Sequence, residues 1–410
     1  METGNPKPLV NDRPLLTAAL GFSLGIFFCH KLAGTWLLYA MCLFAVLLLL
    51  SLFFKRNPLY TFISALLLGI CRQRLAFALP GITVQILLSP LLARLVVLKD
   101  LLLSCTDALF YDLSPLFRAM LWGETSLIAR ADISVFRTAG LSHILALSGL
   151  HVGFFAGALL LLIPKNHPRL RFWLVSSFLL LYCCIAAFPS SLIRASIMTV
   201  CMLGASLCRR PYDLPCSLAL SAFIILLFSP EALFDVGFQL SFSAVAGIAM
   251  ITPLVTQMLS NLPGSLSQSV SVATGATVGT LPLSLLHFKT FPVYSLVSNL
   301  FLLPLIPFSL ISAFAAVLLG LFFPTLAKLP AFVAYHLMLL VKSLTGLIAA
   351  LPYSSISFKQ APGGLFIILC YCGMFAVSPF VLRSSAWKLR ALCLVLFLML
   401  ALSLCGILFV

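Results

Sequence analysis

Between Phe136 and Phe154 the chain reads FRTAGLSHILALSGLHVGF, an apolar run that carries His143, Ser148 and His151. Ionisable groups inside hydrocarbon are costly, so such histidines are functional candidates from the outset. A plainer reading, core histidines with satisfied hydrogen bonds, stands beside it. Ser148 with His151 is the nearest approach to a nucleophile and its base. On one helix these positions are i and i+3, where side chains seldom meet productively. Intramembrane proteolysis is therefore a distant reading, one that would require Ser148→Ala to abolish all activity. Gly149, Gly153 and Gly157 recur every four residues, the stripe that lets a second helix backbone come close.

Further polar groups sit in other apolar runs. Arg194 lies in SSLIRAS (190–196), Asp235 and Gln239 in FDVGFQLS (234–241) with Ser241 at its end, and Asn299 in YSLVSN (294–299). Asp235 and Gln239 share a helical face, and Arg194 with Asp235 is an expected ion pair. Pro282, Pro292, Pro304 and Pro307 interrupt the stretch from 281 to 310, and freed carbonyls there must face protein or a wet cavity. Discontinuous helices of this kind mark transport paths, although ordinary proline kinks account for the pattern nearly as well. There is no HExxH helix and no phosphate-binding loop. The 175 residues after Asp235 hold no carboxylate to bind a divalent metal. The 13 Cys lie mostly in apolar runs, so neither a metal nor a cofactor nor a disulfide framework is expected.

The elements that position these residues follow from composition. The 410 residues are 62% hydrophobic and 9% charged, with mean hydropathy +1.17. Soluble domains carry about 25% charge, so the reading is an all-α polytopic membrane protein. Apolar windows predict spans near 14–30, 34–54, 58–71, 141–163, 172–187, 192–208, 215–229, 232–254, 268–286, 293–322, 328–350, 364–380 and 391–410, in all about 11–13 transmembrane helices. Lys and Arg outnumber Asp and Glu by 25 to 10. Basic loops at Lys55-Arg56, Lys165/Arg169/Arg171, Arg209-Arg210 and Arg383/Lys388/Arg390 read as cytoplasmic, which also puts the N-terminus inside. Arg72 and Arg74 then fall on the outer side, against the rule. His143, Arg194, Asp235 and Asn299 come out in the outer half of the bilayer, with His151 about 12 Å deeper along its helix.

Four regions result: N-terminal helices at 1–74, an amphipathic interfacial segment at 75–135, a transmembrane core at 136–322, and C-terminal helices at 323–410. The second region holds Asp100, Asp107, Asp112, Glu124 and Asp132, half of all the carboxylates, and its pattern suits helices lying in the interface plane.

Gly140-Leu-Ser-His-Ile-Leu-Ala-Leu-Ser-Gly-Leu-His-Val152 resembles the signature of the ComEC-type competence family of inner-membrane DNA uptake channels. Leu121-Trp-Gly-Glu124, Leu192-Ile-Arg-Ala195 with Met198, Val236-Gly-Phe-Gln-Leu-Ser-Phe242, Pro282 to Phe288, and Ser298-Asn-Leu300 with Pro304 resemble further family blocks in the same order. The resemblance implies an inner-membrane channel that carries single-stranded DNA into the cytoplasm during natural transformation. It implies as partners a periplasmic DNA receptor, a cytoplasmic helicase-like motor with single-strand-binding proteins, and membrane lipid; self-association stays open. Longer relatives carry an OB-like domain and a metallo-β-lactamase-like nuclease. Residues 75–115 are too short and apolar for the first, and the chain ends in a hydrophobic span, so a non-enzymatic channel is expected.

On this reading the path is lined by His143, Ser148, His151, Arg194, Asp235, Gln239, Ser241 and Asn299, with Arg194 attracting phosphate at the outer mouth. Gly149, Gly153 and Gly157 serve helix packing. Two rivals use the same residues: a secondary transporter for a small anion, and a non-conducting scaffold built on the glycine stripe.

Overall fold

The computed structural model describes residues 14–29, 65–70, 72, 89–358 and 363–379, so the spans expected at 34–54 and 391–410 lie outside the described residues. What is described is overwhelmingly helical, as hydrocarbon demands of a backbone that must satisfy its own polar groups. Among the described residues, five helices are long and apolar enough to cross a membrane: Pro168–Ile185, Ser190–Leu207, Val236–Met258, Gly264–Phe288 and Pro324–Ala349. Shorter apolar helices cover Leu15–Phe27, Gly149–Leu162, Leu214–Phe228 and Phe366–Ala376. The chain is thus a multi-pass α-helical membrane protein, with helix positions close to those its hydropathy predicts.

Two expected spans are broken. The span expected at 293–322 divides into Ser295–Leu302 and Leu305–Gly320, bent by 50° around Pro304. The helix Gly264–Phe288, by contrast, runs through Pro282 without interruption. The span expected at 141–163 is not continuous either. A single turn, Ser142–Leu145, is separated by extended Ala146 from the helix Gly149–Leu162. His143 and His151 therefore do not sit on one helix.

Residues 89–138 fall mostly within the segment expected to be interfacial. They form the helices Ser89–Phe110, Ser114–Trp122 and Arg130–Thr138. Seven of the nine residues from Ser114 to Trp122 are buried, and Phe110, Leu113, Leu116, Phe117 and Met120 belong to the main hydrophobic core. The helix Ser114–Trp122 is thus part of the bundle core, whereas Arg130–Thr138 buries only Phe136. Charges of the segment are neutralised locally. Arg118 pairs with Asp107 at 2.7 Å, Lys342 with Asp132 at 3.0 Å and Lys99 with Glu124 at 3.8 Å, while the Tyr335 hydroxyl donates to Asp112 at 3.1 Å. A hydrogen bond from Ser126, with Lys99 and Arg118 nearby, holds the half-buried Glu124 carboxyl below its ordinary pKa.

The core is assembled around Trp122, whose Nε1 donates to Thr106 Oγ1 at 3.0 Å. Phe314 lies 5.8 Å from Trp122 and 4.8 Å from Phe155, which in turn meets Tyr182 edge-on at 5.4 Å. The Tyr182 hydroxyl donates to the Leu121 carbonyl at 2.9 Å. Gly123 follows with φ of 78°, ending the helix in a conformation that glycine adopts without strain. A second, smaller core gathers Phe22, Ile26, Ala65, Ile225, Leu226 and Phe238. Arg72, which the charge rule leaves on the wrong side, caps the helix Leu214–Phe228 instead. Its Nε donates to the Leu227 carbonyl at 2.7 Å and its Nη2 to Phe228 at 3.2 Å, where a cation meets the negative end of the helix dipole.

Close backbone approach occurs away from the expected glycine stripe. A Cβ added at Gly153 or Gly157 would meet nothing within 4 Å. Added at Gly247, it would come 2.3 Å from the Gly275 carbonyl oxygen and 2.5 Å from the Gly279 Cα. The helices Val236–Met258 and Gly264–Phe288 thus cross backbone to backbone, the contact that small residues permit in membranes. Gly279→Leu should destabilise the purified protein by about 1–3 kcal/mol or more through overpacking, whereas Gly153→Leu should fall within about 0.5 kcal/mol of wild type. Thermal unfolding in detergent checks both, and equal losses would contradict the assigned crossing.

Candidate functional site

Ser148 is the N-cap of the helix Gly149–Leu162, held extended at φ −126° and ψ 172°. That conformation brings it to His151 after all. Ser148 Oγ lies 3.1 Å from His151 Nδ1, and the Ser148 backbone N–H donates to the same nitrogen at 3.2 Å. The pair forms a capping box, with the serine hydroxyl accepting the His151 N–H. Because the Nδ1 lone pair already serves a backbone donor, it is not free to act as a base. His151 is fully buried, and its Nε2 has no hydrogen-bond partner. His143, on the preceding turn, has exposed surface.

Arg194 sits in the second turn of the helix Ser190–Leu207 with 6% of its surface exposed. Its Nε donates to Ser241 Oγ at 2.8 Å, its Nη1 approaches Met198 Sδ at 3.6 Å, and its guanidinium carbon stands 5.8 Å from the Phe242 ring centre. Its Nη2 faces the start of the helix Gly149–Leu162, where a Cβ on Gly149 would lie only 2.9 Å away. No described carboxylate forms a salt bridge with it.

The expected Arg194–Asp235 ion pair is not formed. Asp235 caps its own helix, accepting the Phe238 N–H at 2.9 Å, and takes the Ser190 hydroxyl at 3.3 Å. A carboxylate bound to a helix start is already compensated, which leaves the guanidinium uncompensated. Three helix starts converge here, at Gly149, Ser190 and Val236. Ser191 Oγ also bonds the Gly237 carbonyl at 3.3 Å. Helix N-termini carry partial positive charge; the start at Val236 is already answered by Asp235, so it is the buried arginine with the starts at Gly149 and Ser190 that favours an anion.

The polar line continues through Gln239. Its Nε2 donates to the Leu233 carbonyl at 3.0 Å and its Oε1 lies 2.8 Å from His287 Nε2. His287, at the end of the helix Gly264–Phe288, was not singled out from sequence. Its spacing to Gln239 becomes meaningful only once the two helices cross. Tyr371, whose hydroxyl donates to the Gly279 carbonyl at 3.0 Å, was likewise missed. Asn299 lies on the half-helix Ser295–Leu302, where its Oδ1 is buried without a partner. The turn at Gly140, with φ of 79°, abuts that half-helix, since a Cβ there would come 2.4 Å from Ser295 Cβ. Backbone contact thus joins the signature segment to the broken helix. Among the described residues, no three or more His, Cys, Asp or Glu converge as metal ligands.

Removal of the Ser241 hydroxyl leaves a buried charge one partner short, so Ser241→Ala should cost about 1.5–3 kcal/mol. Ser241→Thr, which keeps the acceptor, should recover most of it. Thermal unfolding of both variants tests the bond, and no difference between them would refute it.

Comparison with known proteins bears on this site. A family profile described as Competence protein matches residues 120–384, more than half of the chain. ComE operon protein 3 of Bacillus subtilis (strain 168) is 30% identical over 226 residues, covering 54% of this chain and 29% of that protein. An uncharacterized protein of Aquifex aeolicus (strain VF5) is 30% identical over 168 residues, covering 40% of this chain and 38% of its own length. The alignments therefore span well under half of either relative. No solved structure matches.

Proposed function

The chain belongs to the competence protein family, and from that premise we propose that it is an inner-membrane channel that passes single-stranded DNA into the cytoplasm during natural transformation. The observation that carries the reading is Arg194, a buried guanidinium with no described carboxylate in salt-bridge contact, set where three helix starts meet. A phosphodiester chain needs a positively biased, hydrated route through hydrocarbon, and this cluster supplies the bias.

In this mechanism Arg194 attracts successive phosphates, and His151 Nε2 offers a donor beside it. Gln239, Ser241, His287 and Asn299 provide hydrogen-bonding positions for water or phosphate oxygens. His143 meets the strand from its exposed turn, and Ser148 with Asp235 keeps the helix starts fixed around the route. Movement of the strand requires work, which a cytoplasmic helicase-like motor or a proton gradient would supply. A periplasmic receptor would deliver the DNA, single-strand-binding proteins would collect it, and the N-terminus would lie in the cytoplasm.

The enclosure of Arg194 also favours a second reading, a transporter whose closed site binds a small anion. The two readings separate in one experiment. Cells lacking the chain are complemented with wild type or Arg194→Ala and given fluorescent double-stranded DNA. Arg194→Ala should lower cytoplasmic label roughly 10- to 100-fold, the equivalent of one charge-assisted hydrogen bond, at unchanged protein level. Arg194→Lys should restore it only in part, because a lysine lacks the planar fork. Normal DNA entry in cells without the chain would overturn the channel reading and favour the small-anion transporter.

A further inference from the structure

A second basic site lies at the opposite ends of two of these helices, and it is independent of the strand-import reading. The loop 163–167 and the start of the helix Pro168–Ile185 face the end of the helix Ser190–Leu207 across a cavity of about 500 Å³. Its lining includes Asn166, His167, Arg169, Leu170, Ser206 and Arg209, with no carboxylate. Asp213, the acidic residue next along the chain, is engaged as the N-cap of the helix Leu214–Phe228, accepting the Cys216 N–H at 3.5 Å.

The backbone contributes in the same sense. Pro168 occupies the first helical position and no side chain caps that helix start, so the N–H groups of Arg169 and Leu170 have no capping acceptor. At the facing helix end three carbonyls are already engaged. Its Gly204, Ala205 and Ser206 oxygens accept the N–H groups of Cys208, Arg210 and Arg209 at 2.9, 2.8 and 3.2 Å. Two guanidiniums and an open helix start are thus gathered around a space without a negative group.

The residues that adjoin the lining in sequence are apolar and outward-facing. Leu161 is 89% exposed, Leu162 81% and Trp173 66%. A tryptophan beside basic residues at a helix start is the side-chain set of a membrane interface. Basic pockets between membrane helices recognise phosphate headgroups of anionic lipids, and leucines alongside can take acyl chains. The geometry points to a bound anionic phospholipid. Its phosphate would lie between Arg169 and Arg209, its polar rim would meet Asn166 and Ser206, and its chains would run along Leu161, Leu162 and Trp173.

The full chain, purified and delipidated in detergent, is offered equal parts of phosphatidylglycerol and phosphatidylcholine, and retained lipid is read by native mass spectrometry. Wild type should retain phosphatidylglycerol preferentially, and Arg169→Gln with Arg209→Gln should reduce that preference roughly ten- to thirtyfold. Should the glutamine pair fail to fold, Arg169→Lys with Arg209→Lys gives the second reading and should keep a weakened preference. Inorganic phosphate and a single-stranded oligonucleotide are added as competitors. Equal retention by wild type and either double variant would overturn the proposal. So would displacement of the lipid by millimolar phosphate, which marks a free-anion site, or by the oligonucleotide with the same arginine dependence, which marks a nucleic-acid site.

Discussion

A guanidinium held inside a membrane bundle without a carboxylate partner is the constraint around which the rest of this structure is arranged. Desolvating a charge costs several kcal/mol unless fixed dipoles replace the lost water. Here the replacements are the Ser241 hydroxyl, the Met198 sulfur and the face of Phe242. None of them carries negative charge, so the positive field of Arg194 is held in place but not cancelled. Gly149 follows from the same constraint, since its missing side chain is the space that Nη2 occupies. Had Asp235 paired with Arg194, the guanidinium would have less of its edge left to offer an anion. Asp235 keeps its charge but spends its hydrogen bonds on the Phe238 N–H and the Ser190 hydroxyl, which leaves Arg194 without a carboxylate in salt-bridge contact among the described residues.

Two orphaned atoms extend that argument along the bundle. His151 Nε2 and Asn299 Oδ1 are both buried without partners, and buried polar atoms left unsatisfied cost about 1–3 kcal/mol each. They lie on elements joined through Gly140, which sits against Ser295. The half-helix bearing Asn299 ends at a break bent by 50°, where irregular backbone is tolerated only against protein or a water-lined cavity. Water held inside the bundle supplies partners to such atoms, and on the proposed reading a hydrated strand would do the same.

Much of the fold was legible because hydropathy and helix length speak to the same physics. The helices Ser190–Leu207, Leu214–Phe228 and Pro324–Ala349 begin and end within a few residues of the windows that composition marks out. Arg194, Gln239 and Ser241 were legible as isolated polar groups in apolar runs; Arg194 meets Ser241, while Gln239 bonds Leu233 and His287 instead. What failed was anything that depended on local backbone choice or on a crossing. Ala146 in extended conformation breaks the signature segment, which periodicity reads as one helix. Ser148 reaches His151 because an N-cap residue does not obey helical side-chain directions. The regular stripe at Gly149, Gly153 and Gly157 is packed only at its first member, while Gly247, Gly275 and Gly279 make the real crossing. His287 gains its partner only through that crossing.

The position of the polar line between two cores follows from the same helices. Leu192 and Ala195, on either side of Arg194, belong to the large core around Trp122, yet Ile193 packs with the smaller core that contains Phe238 and Phe242. Arg194 therefore stands at a seam, and Ser241 answers it from the far side. Packed cores resist continuous deformation, so relative movement costs least where they meet through a few polar contacts. Strong apolar cohesion on each side and weak polar cohesion between them is the arrangement a route needs if it is to open without unfolding the bundle. The same arrangement explains why the charge sits there: deep within the large core the hydroxyls of Thr106 and Tyr182 are already engaged, with Trp122 and the Leu121 carbonyl, and a guanidinium on the lipid face would have no dipoles to hold it.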